Sequence, residues 1–291
     1  MSDEFALDPQ FVRRSFEAVS ATFDANSAVH AAIRAQLLER LDVVRIEPAV
    51  VVDLGAGTAH ASRALKDRYR SAQVIAADIA PKMLAQAARQ QRLLRRFARV
   101  ATDAHRLALR TASVDMVFSN LMLQWSHDPD TVFNEVRRVL KPNGLFTFTA
   151  LGPDSLRELR SAWSQIDTYT HVHRFIDMHD LGDALLRAGF AEPVMDTQRL
   201  TVTYPTFDAF LGELAGSGSG NVAQGRRHGL TAPAALDRVR KSYEQLRREG
   251  TLPVSLEIVF GHAWTGNLAR AVSSGEVRVP VASLRRRGVD H

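Results

Sequence analysis

The first 44 residues carry a helical pattern of apolar side chains. Between residues 9 and 41, apolar residues recur three or four positions apart, a spacing that keeps them on one face of an α-helix. The pattern is interrupted near Phe23–Asn26, which predicts two helices or a loop between two helical stretches. The apolar positions are Phe11, Phe16, Val19, Ala28, Ile33, Leu37, Leu38 and Leu41. We therefore expect residues 1–44 to form a helical N-terminal segment.

From residue 45 onward, short runs of β-branched residues alternate with helical stretches. The predicted strands are Val50–Leu54, Gln73–Asp78, Ala98–Thr102, Val114–Ser119 and Gly144–Ala150. The predicted helices are Ala59–Arg68, Ala80–Gln91 and Pro129–Leu140. Strands that alternate with helices form right-handed crossovers and a parallel sheet that is covered on both faces. The pattern predicts an α/β fold with its core in residues 45–152.

The pattern loosens beyond Ala150. The predicted helices there are Leu156–Asp167, Met178–Ala188 and an Arg-rich one near Ala234–Arg248. The predicted strands are Arg199–Tyr204 and Ser255–Trp264, with a Gly/Ser stretch at Ala215–Gly220. We expect residues 153–266 to complete the sheet and to bind the substrate. Residues 267–291 show no core pattern, so we expect a disordered tail.

Composition narrows the class of protein. The chain has 291 residues, 45% of them hydrophobic and 24% charged, as in an ordinary globular protein with a sizeable core. It contains no cysteine, which excludes disulfides, thiolate metal sites and a cysteine nucleophile. The N-terminus MSDEF does not resemble a secretion signal, and no apolar run approaches the roughly 20 residues that span a bilayer. We expect a cytoplasmic enzyme that does not associate with membranes.

The strongest candidate chemistry lies where the first predicted strand ends, in the pattern D-x-G-x-G. Gly55 and Gly57 allow a tight turn and a close approach to a ligand. Asp53 precedes them, Asp78 ends the next strand, and Asp103 follows the third. A carboxylate before the glycines would repel a pyrophosphate but suits a ligand with an ammonium and a sulfonium. The pattern therefore favours S-adenosylmethionine over a dinucleotide.

This motif and strand series resemble the class I S-adenosylmethionine-dependent methyltransferases over roughly residues 45–150. The resemblance implies a Rossmann-like, mostly parallel seven-stranded sheet with helices on both faces and a helical C-terminal insertion or lid. It also implies that residues 199–204 and 255–264 form a final antiparallel hairpin. The third glycine of the usual pattern is Ala59 in this chain. The family's cofactor-binding positions fall on Asp53, Gly55 and Gly57 at the methionine end, Asp78 at the ribose, Asp103 and Ala104 at the adenine, and Asn120 beside the methyl group.

Further segments resemble the malonyl-acyl-carrier-protein O-methyltransferases of biotin synthesis, the BioC family. They are Phe118–Trp125, Glu135–Gly144, Leu156–Leu159, His173–Phe175, Leu200–Tyr204, Gly218–Asn221 and Arg226–Thr231. The resemblance covers about residues 10–265. It implies that the acceptor is the free carboxylate of a malonyl thioester on acyl carrier protein, or of malonyl-CoA. Many relatives have Tyr where this chain has Phe23, so we do not expect an active-site role for the N-terminal segment.

The expected chemistry needs little besides alignment. A malonyl carboxylate is already ionised at neutral pH, so no strong general base is required. One cation would select it, and Arg174 is either that cation, because a guanidinium binds a carboxylate with two hydrogen bonds, or an ordinary surface arginine. Gln124 and Trp125 either cover the methyl-transfer pocket, beside Asn120, or belong to the core. The histidines near residue 171 lack acidic partners at metal-ligand spacing, so we predict no metal.

The net charge of +5 leaves the partner open. The basic runs Arg89–Arg99 and Arg226–Arg248 either dock an acidic carrier protein or form solvated faces. They lack interleaved aromatic residues, so we do not expect nucleic-acid binding. The oligomeric state is not determined by the sequence, and a monomer is favoured.

Two other functions remain open. Related proteins that assist complex I assembly hydroxylate an arginine of a partner protein. A third class binds S-adenosylmethionine without catalysis and acts as an assembly module.

Overall fold

A computed structural model of the chain describes residues 7–126, 128–221 and 232–266. The helices are α1 (Pro9–Val19), α2 (Ala28–Arg40), α3 (His60–Arg68), α4 (Pro81–Arg89), α5 (Pro129–Val139), α6 (Arg157–Ser164), α7 (Met178–Arg187), α8 (Phe207–Gly216) and α9 (Pro233–Glu244). The strands are β1 (Val50–Leu54), β2 (Gln73–Asp78), β3 (Ala98–Ala101), β4 (Val114–Asn120), β5 (Leu140–Leu151), β6 (Phe190–Tyr204) and β7 (Leu252–Thr265). Short 3-10 turns lie at Phe23–Asn26, Leu41–Val43 and Leu123–Trp125. None of the described helices is long and apolar enough to cross a membrane.

The seven strands form one sheet in the order β3-β2-β1-β4-β5-β7-β6. The first five strands run parallel, and β7 is antiparallel to both of its neighbours, β5 and β6. This confirms the predicted Rossmann-like, mostly parallel seven-stranded sheet. The last two strands are antiparallel as expected, but α8 and α9 lie between them in the chain, so they do not form a hairpin. The carboxyl ends of β1, β2 and β4 meet at one edge of the sheet because parallel strands all point the same way.

Apolar side chains pack on both faces of the sheet. One buried cluster joins α2, α3, α8 and α9 to the first face. A second joins α5 and α7 to the other face, where Phe133, Phe146 and Phe148 contact one another at ring-centroid distances of 4.9–5.8 Å. The parallel strands are therefore buried on both sides, which explains why they appear in the sequence as continuous apolar runs rather than as alternating patterns.

The C-terminal part differs from the sequence prediction in three places. The strand expected at 199–204 begins at Phe190, and a register shift between Ala191 and Val194 interrupts its pairing with β7. A helix, α8, was missed before the Gly/Ser stretch, although the Thr206 side chain caps it by accepting from the Ala209 N–H at 3.1 Å. The Arg-rich helix ends at Glu244 rather than at residue 248. The tail expected at 267–291 lies outside the described residues.

Candidate active site

The turn after β1 has a backbone conformation that only small residues adopt easily. Gly55 and Gly57 have positive φ angles of 74° and 54°, in the left-handed region that favours glycine. A Cβ on Gly55 would lie 2.5 Å from the Met122 side chain, so no other residue fits there. Ala59, at the third glycine position, also has a positive φ, 63°. The predicted loop is therefore present, and it accommodates an alanine in a glycine-like conformation.

The two acids at the ends of β1 and β2 are buried beside this loop. Asp53 accepts a 2.6 Å hydrogen bond from Ser62 Oγ, and burial raises the pKa of its carboxyl to about 6. Asp78 accepts from the backbone N–H groups of Gly57 and Ala80, both at 2.8 Å, and burial raises its pKa as well. These carboxylates lie in a place where a cationic ligand with hydroxyl groups would compensate their burial.

A first cavity opens at this edge of the sheet. The seven predicted cofactor residues all line it: Asp53, Gly55, Gly57, Asp78, Asp103, Ala104 and Asn120. Asn120 is held in place by two contacts: its Oδ1 accepts from Thr149 Oγ1 at 3.0 Å, and its Nδ2 donates to the His30 carbonyl oxygen at 3.3 Å. The buried acids and the glycine cradle fit a cofactor with cationic groups, such as S-adenosylmethionine.

The N-terminal segment, for which the sequence predicts no active-site role, contributes residues to the first cavity. Phe16 and Phe23 line the first cavity with His30 and Arg34. The Phe23 ring lies 3.8 Å from the position of a Cβ on Gly57, and it contacts the His30 ring edge-on at 5.6 Å. The missing tyrosine hydroxyl thus does not remove the residue from the site, because the aromatic ring itself forms the wall.

Asp24 connects this N-terminal segment to the core through hydrogen bonds and an ion pair. Its carboxylate accepts from Thr58 Oγ1 at 2.5 Å and from Gln90 Nε2 at 2.8 Å, and it lies 3.2 Å from His60 Nε2. One side chain therefore connects the 3-10 turn Phe23–Asn26 to the glycine loop, to α3 and to the end of α4.

A second cavity of about 400 Å³ adjoins the first. His30, Leu121 and Trp125 line both cavities, so they form a shared wall. Leu121 has a positive φ of 53°, which is strained for a branched residue. Its N–H donates to Thr149, both to the carbonyl oxygen at 3.2 Å and to Oγ1 at 3.0 Å. A strained residue that two hydrogen bonds hold at the junction of two cavities indicates a functional site.

The second cavity is mostly apolar. Its walls come from α2, the turn after β4, α6, residues 171–175, β6, α8 and β7, and include Trp163, Tyr204 and Phe210. His171 also lines it and is fixed by stacking on Trp163, with 3.5 Å between ring centroids, and by a 2.8 Å contact with Asp167. No lysine or arginine of the described chain lines this cavity.

The predicted catalytic residues are only partly brought together. Trp125 lines both cavities and Gln124 lines the second, while Asn120 lines the first. Arg174 lines neither: its side chain is exposed, between the buried residues His173 and Phe175. The structure thus provides no contact between Arg174 and a ligand in either cavity. Within the described residues, no three His, Asp or Glu side chains come together in a way that could hold a metal ion.

Known proteins resemble this chain over most of its length. A family described as "Methyltransferase domain" matches residues 52–148. A Methylovorus protein named malonyl-[acyl-carrier protein] O-methyltransferase is 46% identical over 94% of this chain and 95% of its own length. A protein of the same name from Laribacter hongkongensis is 44% identical, covering 91% and 92%. Among solved structures, the YcgJ protein from Bacillus subtilis has a TM-score of 0.59 at 14% identity, covering 80% of this chain and 99% of that one. At this sequence identity, the structural similarity shows a shared fold and nothing more.

Proposed function

Because the chain belongs to the family of malonyl-[acyl-carrier protein] O-methyltransferases, we propose that it methylates the free carboxylate of a malonyl thioester carried on acyl carrier protein. S-adenosylmethionine, when bound, supplies a methyl group on a positively charged sulfur. The two alternatives left open by the sequence, an arginine hydroxylase and a non-catalytic module, are not retained. The relatives that match nearly the whole chain carry the name of a carboxyl methyltransferase.

The observation that carries the proposal is the wall shared by the two cavities. The first cavity contains the glycine loop and the buried acids, which fit the cofactor, and the second is long and apolar, which fits an acyl chain. His30, Leu121 and Trp125 belong to both. A methyl group held at this wall would face an acceptor that is bound in the second cavity.

The residues of the chain have three tasks in this proposal. Asp53 and Asp78 would hold the cationic and hydroxyl groups of the cofactor. The aromatic rings of Phe16 and Trp125, which contact edge-on at 5.2 Å, would exclude water from the shared wall. The apolar second cavity would align the acceptor. No residue is needed as a strong base, because the carboxylate is already ionised at neutral pH.

The direct test is the intact mass of malonyl acyl carrier protein after incubation with the enzyme and S-adenosylmethionine. We expect a gain of one methyl group. Acetyl acyl carrier protein is the matched control, because it lacks only the free carboxylate, and it should remain unchanged. If the malonyl protein gains no mass while the enzyme binds S-adenosylmethionine, the proposed acceptor is wrong.

The carrier protein would approach at the rim of the second cavity, where the C-terminal elaboration lies. Arg174 is exposed there, next to the cavity residue His173. A cation in this place fits the phosphate of the phosphopantetheine arm or the acidic carrier surface. Arg240 is a poorer docking residue than the sequence indicated, since Asp208 and Asp237 hold its guanidinium at 2.8 and 2.6 Å. Arg226 and Arg227 lie outside the described residues.

A further inference from the structure

Three residues that line the second cavity each have a buried polar atom without a hydrogen-bond partner among the described residues. Four buried side-chain nitrogen or oxygen atoms lack a hydrogen bond within the described residues. Three of them belong to residues that line this cavity: His30 Nδ1, Gln124 Oε1 and His173 Nε2. Buried polar groups are nearly always paired in folded proteins, because desolvation without a partner is costly. Three such residues in the lining of one cavity favour the binding of a polar ligand group near them.

These residues lie close to the shared wall. The His173 ring is 5.2 Å from that of Trp125, measured between centroids, and 4.9 Å from that of Phe175. His30 is itself part of the wall, and Gln124 precedes Trp125 in the chain. A ligand group bound by them would therefore lie beside the place where the two cavities meet.

The two histidines are uncharged at neutral pH. Burial lowers the pKa of His173 to about 4, with a smaller contribution from the positive charge of Arg160. Burial likewise lowers the pKa of His30 to about 4, with a smaller contribution from Arg34. A neutral imidazole has one N–H donor and one acceptor nitrogen. The cavity thus offers hydrogen-bond donors without positive charge.

We propose that His173, with Gln124 and His30, forms a charge-neutral binding site for the acceptor carboxylate, in which the N–H of the His173 imidazole donates to a carboxylate oxygen. The NH₂ group of the Gln124 amide is a further donor for the same ligand. This site deepens the proposed function and rests on it. His173 is the residue that selects and positions the acceptor, in place of the arginine expected from the sequence.

A neutral site suits this reaction for an electrostatic reason. Methyl transfer joins a carboxylate oxygen to the methyl carbon and breaks the carbon–sulfur bond, with the electron pair left on sulfur. A negative and a positive charge disappear, and no proton moves. A paired arginine would stabilise the ionic carboxylate more than the transition state, in which the charge is smaller, and would slow the step. Neutral hydrogen-bond donors also orient the carboxylate, but they stabilise its charge less and therefore slow the step less.

The test uses malonyl N-acetylcysteamine thioester, which has the carboxylate but neither phosphate nor protein. We expect His173→Phe to lower kcat/KM at least about tenfold, mainly through KM, while the affinity for S-adenosylmethionine and the melting temperature stay unchanged. His173→Gln keeps a donor near the Nε2 position and should recover part of the loss. His179→Phe, at an exposed histidine, is the matched control and should behave as the wild type.

The outcomes separate this inference from the proposed function. A wild-type enzyme that does not methylate malonyl acyl carrier protein contradicts the function itself. If the wild type is active and His173→Phe keeps its kcat/KM, the neutral site is wrong. If His173→Phe leaves kcat/KM unchanged while Arg174→Ala lowers it for the small thioester, Arg174 rather than His173 binds the carboxylate.

Discussion

Among single residues, Asp53 is a buried carboxylate whose burial is only partly compensated. Its carboxylate is 1% exposed, and among the described groups only Ser62 donates to its side chain. Burial raises its pKa to about 6, and the nearby negative charge of Asp78 also acts in this direction, whereas Arg34 acts against it. A cationic ligand would supply the missing counter-charge, so ligand binding should lower this pKa again.

This coupling predicts that S-adenosylmethionine binds more weakly in acid. Below pH 6, Asp53 is protonated in the free protein and must lose its proton to pair with the cation, so the affinity falls as the pH falls. The limiting slope is about tenfold per pH unit, which makes binding at pH 5 roughly ten times weaker than at pH 7 or above. Calorimetry at several pH values would measure it.

The Asp53→Asn variant is the control, because it removes this titration. Asp78 and His60 line the same cavity and act in the same direction, so some pH dependence should remain in the variant. The affinity of Asp53→Asn at pH 7 should be lower than that of the wild type. Equal slopes in the two proteins between pH 5 and 7 would mean that Asp53 does not contact the cation.

Among the elements, the N-terminal segment forms one wall of the first cavity. Helix α1 and the turn Phe23–Asn26 are not part of the sheet, yet they supply Phe16 and Phe23 to the cavity wall. Asp24 holds the turn against the glycine loop, α3 and α4. A small number of polar contacts and aromatic packing therefore hold the N-terminal segment against the first cavity.

We predict that Asp24→Ala speeds the release of S-adenosylmethionine. The variant loses charge-assisted hydrogen bonds that are partly exposed, so we expect a modest effect of roughly fivefold, equivalent to about 1 kcal/mol. Stopped-flow displacement would measure the dissociation rate. Asp42→Ala is the matched control, since Asp42 forms an exposed ion pair with Arg68 and does not line the cavity. Equal dissociation rates in all three proteins would show that the segment does not retain the cofactor.

At the scale of the whole molecule, the arginines differ in how free they are to meet a partner. Arg92 and Arg95 lie 3.5 and 3.0 Å from Asp67, and Arg240 is held between two carboxylates. Their charges are already partly neutralised within the chain. Arg174 is exposed beside the second cavity and has no ion pair with a described residue, so it is better placed for steering an acidic partner.

We therefore predict that salt weakens the recognition of malonyl acyl carrier protein. Its KM should rise with ionic strength, because charges more than about 8–10 Å apart are screened near physiological salt. The KM for the small malonyl thioester should change much less. Arg174→Glu should raise the KM for the carrier protein at low salt and reduce its salt dependence, as steady-state kinetics with the two substrates would reveal.

Arg110→Glu is the control for that experiment. Arg110 is exposed before the start of β4, at the edge of the sheet opposite the cavities, and its reversal makes the same change in net charge. If both reversals raise the KM equally, only the net charge matters. A KM for the carrier protein that does not depend on salt would contradict electrostatic docking.

The amino-acid sequence was enough to predict the sheet and the acidic and glycine residues that line the first cavity. Parallel topology forces the carboxyl ends of β1, β2 and β4 to one edge, so Asp53, Asp78 and Asn120 could be placed together from their positions after apolar runs. The glycine loop was equally visible, since its backbone conformation requires small residues. Both patterns, the polar residues after apolar runs and the glycine loop, are formed by residues that are neighbours in the sequence.

The second cavity, in contrast, could not be predicted from the sequence, because its walls come from segments that are far apart in the chain. His30 and His173 lie 143 positions apart in the sequence and line one cavity because α2 and residues 171–175 pack at the same edge of the sheet. No periodicity specifies that packing, and the alternation of buried His173, exposed Arg174 and buried Phe175 has no sequence signature in a segment without regular structure. The sequence analysis therefore predicted Arg174 from the chemistry of its guanidinium, whereas the path of the backbone directs His173 to the cavity.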